Sequence, residues 1–192
     1  MTNKELCERY PFLLPRNRFT GEVVEDYDYS YTELDAMDRG WRKAFGERMC
    51  EEIRDALIEA DYLDEYRVAQ IKEKYGELRW YDFGAPQSVH DIVEKYRYIS
   101  GFICTHCGSI YGKEFSGGWI YTICENCAKN DWGTTRDQWV EATREHTAIK
   151  KSIKINCYSK DGEYSRQIVV WDTWCAIVED YLREKYLQHE IN

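Results

Sequence analysis

The stretch that decides the fold runs from Cys104 to Cys127 and reads CTHCGSIYGKEFSGGWIYTICENC. It holds the pairs Cys104/Cys107 and Cys124/Cys127, separated by sixteen residues, and this C-x2-C-x16-C-x2-C spacing is typical of a zinc site. A gap of two residues lets both thiolates of a tight turn reach one ion, and two such turns complete a tetrahedron. Gly117-Gly118 lies midway and indicates a hairpin turn between the pairs. The sequence therefore predicts a four-cysteine metal site.

The metal expected at Cys104, Cys107, Cys124 and Cys127 is Zn²⁺ in a structural role. Four thiolates leave no coordination position for water or substrate, whereas a catalytic zinc usually keeps one position open. Iron in the same ligands would make a rubredoxin-like electron carrier, which needs only a small domain and leaves most of the 192 residues unexplained. Two reduced structural pairs are the alternative to a metal site. His106 is a possible substitute ligand, but the four cysteines already suffice.

Apolar periodicity on both sides of this module predicts an α+β fold, with helices packed on short antiparallel hairpins around the four-cysteine zinc ribbon or knuckle. Helices are expected over 41–61, over 88–99, from 134 or 135 to about 146, and from 172 or 173 to about 187. Hairpins are expected at 67–83, turning at Tyr75-Gly76, and at 153–171, turning at Lys160-Asp-Gly-Glu163. The predicted regions are an acidic α+β region (1–100), the zinc module (101–130) and a C-terminal α-ββ-α region (131–192). A single unit in which all three pack together is the alternative.

The net charge of −9 excludes a broadly basic nucleic-acid binder, so direct nucleic-acid binding is not expected. Residues 19–65 carry 15 acidic and five basic side chains. We interpret these acids as a surface for a basic partner, in which spaced carboxylates imitate DNA phosphates; a solvated face is the alternative. Tyrosines alternate with acids before the long helix, which predicts an extended strand or arm with its tyrosines on one side. The predicted partner surface comprises Asp26, Tyr27, Asp28, Tyr29 and Tyr31, followed by Glu47, Glu51, Asp55 and Glu59 at helical i+4 spacing.

No enzyme signature was found, and the chain is predicted not to be an enzyme. The patterns HExxH, GxGxxG, GxSxG, the Walker A loop and the deaminase His-x-Glu are all absent. A metal-dependent nuclease using His106 or His146 is the enzymatic alternative. No apolar run is long enough for a membrane span, and residues 1–7 show no apolar leader, so no membrane partner and a cytoplasmic location are expected.

A second stretch, residues 71–81, reads IKEKYGELRWY. It resembles the KEK(Y/F)GGLR(F/W)Y hairpin of a family of uncharacterised bacterial, phage and prophage proteins. In that family a helix follows, and then C-x2-C-G, a Gly-rich turn with Trp, and C-x2-C, which correspond here to Cys104, Cys107, Gly108, Gly117, Gly118, Trp119, Cys124 and Cys127. The likeness covers about residues 40–130 and departs at Glu77, where the family usually has a second Gly. It implies a phage origin, and hence the host cytoplasm, but no reaction.

A phage origin directs the functional hypothesis toward a small acidic inhibitor, similar in character to inhibitors of RNA-guided CRISPR nucleases. These nucleases hold nucleic acids in positively charged channels that an acidic protein can occupy. We therefore expect a non-catalytic, zinc-stabilised binding protein that inhibits a host nucleic-acid-handling defence protein. The type II CRISPR effector nuclease is the first candidate partner. The alternative is a zinc-ribbon nucleic-acid-binding or transcription accessory protein that acts through Lys72, Lys74, Arg79 and Lys113.

Overall fold

A computed structural model describes residues 1–17, 19–144, 152–158 and 164–171, together with Tyr181 and Glu184. It confirms the α+β class, with helices beside small antiparallel sheets and a four-cysteine cluster. The helices are α1 (Asn3–Arg9), α2 (Arg39–Trp41), α3 (Glu47–Glu59), α4 (Gln87–Ser100), α5 (Glu125–Trp132) and α6 (Arg136–Ala142). The strands are β1 (Val68–Lys74), β2 (Glu77–Asp82), β3 (Lys113–Ser116), β4 (Ile120–Ile123), β5 (Thr143–Arg144), β6 (Ser152–Tyr158) and β7 (Tyr164–Trp171).

The predicted hairpin at 67–83 is confirmed. Strands β1 and β2 pair antiparallel with Ile71 opposite Trp80, and the chain reverses at Tyr75-Gly76. Both turn residues have positive φ, 56° and 77°, as the tightest hairpin turns require. Strands β3 and β4 form the predicted hairpin of the metal module, and β5 joins them on the other edge of β3. Strands β6 and β7 also pair as predicted, while the turn expected between them, and most of the last predicted helix, lie outside the described residues.

The long helix predicted over 41–61 is observed as α2, a π-helical turn over Arg42–Gly46, and α3. Its core face repeats every four residues, and the five side chains on that face are at most 2% exposed: Trp41, Phe45, Met49, Ile53 and Leu57. In an ideal α-helix each four-residue step overshoots a full turn by about 40°, so this row would drift away from the core. The wider π-turn reduces the drift and keeps the row buried.

Among the described residues, two hydrophobic clusters form the core. The larger one contains side chains between Leu6 and Ile110, including Phe102 and Ile103 of the predicted zinc module, together with Tyr181. The smaller one consists of Cys104, Ile123, Cys124, Ala128 and Trp139. Cysteines of both turns therefore share the small core, while the residues just before the first turn pack in the large one. The predicted boundaries at residues 100 and 130 stay predictions.

Two local predictions are wrong. The tyrosine-rich segment 26–31 is not a strand but an irregular loop, because Asp26 and Tyr29 have positive φ values of 55° and 61° that break an extended chain. Helix α6 ends at Ala142 rather than near residue 146, since Thr143 and Arg144 pair with β3 instead. Thr135 does cap α6, as expected, by accepting a hydrogen bond from the Gln138 amide.

Candidate metal centre

The four predicted cysteines form one cluster. The Sγ atoms of Cys104, Cys107, Cys124 and Cys127 all lie within 4.8 Å of one another, and those of Cys107 and Cys124 are 3.7 Å apart. A tetrahedral ion with metal–sulfur bonds of about 2.3 Å separates its ligands by about 3.8 Å, whereas a disulfide requires about 2.05 Å. The spacing therefore suits four thiolates around one ion.

The first cysteine turn is closed by backbone hydrogen bonds. The amide of Cys104 donates to the carbonyl of Ser109 at 2.8 Å, and the amide of Gly108 donates to the carbonyl of Cys104 at 2.9 Å. Gly108 has a φ of 82°, a conformation that side chains other than glycine rarely adopt. The turn thereby directs Cys104 and Cys107 to the same ion.

The second cysteine pair lies at the start of a helix. Cys124 is the N-cap residue of α5, and Cys127 lies in its first turn. The free amides and the positive dipole end of a helix N-terminus stabilise thiolates, which partly offsets the burial of these two cysteines. Helix α5 ends at Gly133, whose φ of 67° forms the usual left-handed cap.

The thiols of the cluster do not ionise equally. A hydrogen bond from Cys124, aided by backbone groups of Cys107, lowers the pKa of Cys104 to about 4. The same bond to Cys104, together with burial, raises the pKa of Cys124, and burial raises the pKa of Cys127 to about 12. The protein alone thus favours the Cys104 thiolate and disfavours those of Cys124 and Cys127, which a bound cation would stabilise.

The N-terminal end of the long helix lies directly on the first cysteine turn. The amide of Gly40 donates to the carbonyl of Thr105 at 2.8 Å, and the Trp41 indole donates to the carbonyl of Ile103, also at 2.8 Å. A Cβ added at Gly40 would lie 2.2 Å from the Cys104 carbonyl oxygen, so only glycine fits. Sequence reasoning missed this contact. Its available signal was a glycine at the start of a strongly amphipathic helix, which usually has a packing reason.

Two threonines join the cysteine turns to each other and to the first hairpin. The amide and hydroxyl of Thr105 donate to the carbonyl of Thr122 at 2.9 and 3.0 Å. The Thr122 hydroxyl donates to the carbonyl of Gly76 at 2.7 Å. Both threonines are buried, so these bonds satisfy groups that water does not reach. Sequence reasoning missed both residues, because nothing in their local pattern distinguishes them.

His106 lies outside the cluster. Its Nδ1 is 2.5 Å from a carboxylate oxygen of Asp131, and its ring packs edge-on against Trp132. Within the ranges that the structure describes, the four cysteines are the only group of His, Cys, Asp and Glu side chains arranged to hold a metal ion. His146, the other histidine of the nuclease alternative, lies outside those ranges.

The predicted acidic helix face is partly neutralised within the protein. The Glu51 carboxylate accepts hydrogen bonds from Arg9 and Tyr10 at 2.7 and 2.8 Å, and Arg54 lies 2.7 Å from it. The Arg9 hydrogen bond is the main reason why the pKa of Glu51 falls to about 2. Asp55 contacts Arg54, and Glu47 lies 3.9 Å from the amino group of Met1, whereas exposed Glu59 has no ion pair with any described residue.

The predicted aromatic surface before the helix folds on itself. The Tyr27 ring packs against the rings of Tyr29 and Tyr31, with centroids 4.8 and 5.8 Å apart. The Tyr27 hydroxyl donates to the carbonyl of Tyr31 and lies near Cys7. Tyr29 and Tyr31 remain exposed, as do the flanking acids Asp26 and Asp28. Tyr27 therefore orders the loop rather than presenting its own hydroxyl to a partner.

The basic residues of the nucleic-acid alternative are spread over both hairpins. Arg79 is paired with Glu77, Lys72 lies over the Tyr81 ring, Lys74 lies over the Tyr75 ring, and Lys113 lies over the Trp139 ring.

Among the described residues, no helix combines the length and apolar character of a membrane span.

Comparisons with protein-family models, curated proteins and solved structures gave no match for this chain. The resemblance to phage and prophage proteins therefore stays a prediction.

Proposed function

We propose that this chain is a non-catalytic binding protein, stabilised by Zn²⁺, that docks an acidic surface on a basic partner protein. Zinc is supported by the donor set, because four thiolates at tetrahedral spacing suit an ion without redox chemistry or an open position. Cys104, Cys107, Cys124 and Cys127 would hold it. The metal then has a structural role, and partner binding is carried out by the protein surface.

The observation that carries the proposal is an acidic patch at the end of α3, formed by Glu59, Asp61, Asp64 and Glu65. All four residues are exposed, and none makes an ion pair with another described residue. Elsewhere on the same helix, Glu51 and Glu52 are paired with arginine or lysine side chains. The negative end of the helix dipole adds to the charge of the patch. A cationic partner surface would relieve the repulsion among these carboxylates. It would also associate with the patch rapidly and in a salt-sensitive way.

The partner class that fits is a protein that binds nucleic acid through a basic channel. Carboxylates spaced along a surface can occupy sites that otherwise hold phosphates. The type II CRISPR effector nuclease is the first partner to test, since its guide and target lie in such a channel. This choice rests on the predicted phage resemblance, whereas the acidic patch alone supports the broader partner class.

The test is surface plasmon resonance against a purified type II nuclease, with and without its guide. The double variant Glu59→Lys/Asp64→Lys reverses two charges of the acidic patch. The matched control, Asp137→Lys/Glu141→Lys, reverses two exposed acids on α6 that make no ion pair with another described residue. We expect the patch variant to weaken binding about tenfold or more and to flatten its salt dependence, with the control unchanged.

Equal loss in both variants would show that only net charge matters and would refute docking through this patch. Absence of binding to the nuclease, combined with a DNA mobility shift at moderate salt, would instead support the zinc-ribbon nucleic-acid binder.

A further inference from the structure

Two arginines differ from the others that the structure describes. Arg9, Arg39, Arg42, Arg48, Arg54, Arg79, Arg97, Arg136 and Arg144 each lie within 4.0 Å of a carboxylate oxygen. Neither Arg16 nor Arg67 has such a partner among the described residues. This is unexpected in a chain with 35 acidic and 26 basic side chains, in which carboxylates are abundant.

Arg16 and Arg67 line the same cleft, of about 290 Å³, which we call the arginine cleft. One wall is formed by Arg16, Asn17 and residues 19–21, beside a β-bridge between Arg16 and Val23. The other wall is the open end of the β1–β2 hairpin, where the amide of Phe83 donates to the carbonyl of Arg67 at 3.2 Å. The two cations are thus fixed by separate elements that meet at the cleft.

The Arg16 side chain is half-buried, and its guanidinium is incompletely satisfied. One of its amino groups donates to the carbonyl of Gly21 at 3.0 Å, while its buried Nε has no hydrogen-bond partner. Burial, followed by the nearby Arg67 charge, lowers the pKa of Arg16. A buried donor without a partner and two like charges both destabilise a fold. An anion in the cleft would offset the repulsion between the two cations.

The remaining lining limits the ligand. The side chains of Phe19 and Phe83 are exposed, 100% and 63%, beside the cations, and Val68 and Ala69 add apolar surface. Glu33 also lines the cleft, so the described side chains of the lining carry one net positive charge. The volume is at the lower limit of ligand pockets, about 300 Å³. These properties suit one oxyanion on a small apolar body.

We propose that the arginine cleft binds a small organic oxyanion, a phosphate monoester or a carboxylate attached to an aromatic or aliphatic group. A guanidinium presents paired N–H donors that match the oxygens of either group, and two such groups can hold one anion from two sides. Phe19 and Phe83 would contact its apolar part. The Arg67 guanidinium also donates to the backbone carbonyls of Asp64 and Tyr66, so the cleft adjoins the acidic patch.

Isothermal titration calorimetry on the full chain tests this with phenyl phosphate, phenylacetate and inorganic phosphate at constant ionic strength. Benzyl alcohol is the uncharged control. We expect the wild type to bind at least one of the two aromatic anions, and the tighter one identifies the oxyanion. Arg16→Gln and Arg67→Gln should each weaken binding about tenfold or more, whereas Arg136→Gln, which removes an exposed arginine on α6, should not.

Two further measurements exclude a purely structural role for the arginines. In anion-free buffer, Arg16→Gln should melt no lower than the wild type, because it removes a buried Nε without a partner and a positive charge near Arg67. Phe83→Ala should weaken phenyl phosphate but leave inorganic phosphate unchanged. Absence of binding by all three anions, or equal binding by wild type and both arginine variants, would overturn the proposal.

Discussion

Replacement of Gly40 by alanine should damage the metal centre, although the substitution adds one methyl group in a helix. The new Cβ would lie 2.2 Å from the Cys104 carbonyl oxygen, 2.6 Å from that of Thr105 and 2.7 Å from the Gly108 amide nitrogen. Carbon–oxygen contacts are ordinarily about 3.3–3.6 Å, so the helix and the cysteine turn must separate by about 1 Å. All three atoms belong to the backbone and have no rotamer that could relieve the clash.

The cost of this separation follows from overpacking and lost hydrogen bonds. Extra methyl groups in a packed site cost about 1–3 kcal/mol. The bonds from Gly40 to Thr105 and from Trp41 to Ile103 also lengthen, each contributing about 0.5–1.5 kcal/mol. The better helix propensity of alanine stabilises the fold by at most about 1 kcal/mol, which offsets only part of this cost. We therefore expect Gly40→Ala to lower the free energy of unfolding by about 3 kcal/mol.

Gly46→Ala is the matched control in the same helical segment. Gly46 has helical backbone angles, and its added Cβ would meet the side chains of Arg42 and Met37 at 3.3–3.5 Å, which can adjust. Urea unfolding of the zinc-loaded proteins, followed by far-UV circular dichroism, should show little change or a small gain for Gly46→Ala. Competition with a chromophoric chelator should show about 100-fold weaker zinc binding for Gly40→Ala. Equal unfolding curves for the two variants would refute the close-packing argument.

Three further outcomes are expected. Cys104→Ser should reduce bound zinc from one ion per chain to none by elemental analysis, and should remove hydrogen-exchange protection over residues 101–130. Glu51→Gln should cost about 1–3 kcal/mol at neutral pH by urea unfolding, because it weakens the contacts with Arg9 and Tyr10. Since folding lowers the pKa of Glu51 from 4.5 to about 2, the wild type should lose this stability as pH falls through that interval, and Glu51→Gln should lack that part of the pH dependence. Thr122→Val should cost about 1–2 kcal/mol in the same assay by leaving the buried Gly76 carbonyl without its donor, and an unchanged midpoint would contradict that role.

The parts of the fold that sequence predicted correctly are those determined by neighbouring residues. Tyr75-Gly76 between alternating strands specifies a turn through local φ preferences, and the structure has that turn. The two C-x2-C pairs likewise form turns whose thiols face one point, because the spacing itself sets the geometry. The α3 helix follows from its buried row of apolar side chains, although the π-turn before it leaves no signature in the sequence.

The parts that sequence could not predict depend on contacts between distant residues. Glu51 belongs to an i+4 row of acids, but Arg9, 42 positions earlier, neutralises it. Gly40 supports the cysteine turn more than 60 residues later in the chain, as its hydrogen bond to Thr105 shows. The strand predicted over residues 26–31 was wrong for a different reason. Alternation of aromatic and acidic residues does not exclude positive φ at Asp26 and Tyr29. The local pattern of residues does not show which distant residues will be in contact in the folded chain.

The way in which the metal centre is attached suggests that a bound metal ion would stabilise more than its own loop. Its first turn is bonded to the long helix through Gly40 and Trp41, and the segment before its second turn is bonded to the β1–β2 hairpin through Thr122. If the ion leaves, repulsion among thiolates loosens both turns, and each loses the geometry that these bonds require. Zinc removal should therefore increase amide exchange in the hairpin turn at Gly76 as well as in residues 101–130. Exchange confined to 101–130 would instead show that the module unfolds independently of the N-terminal core.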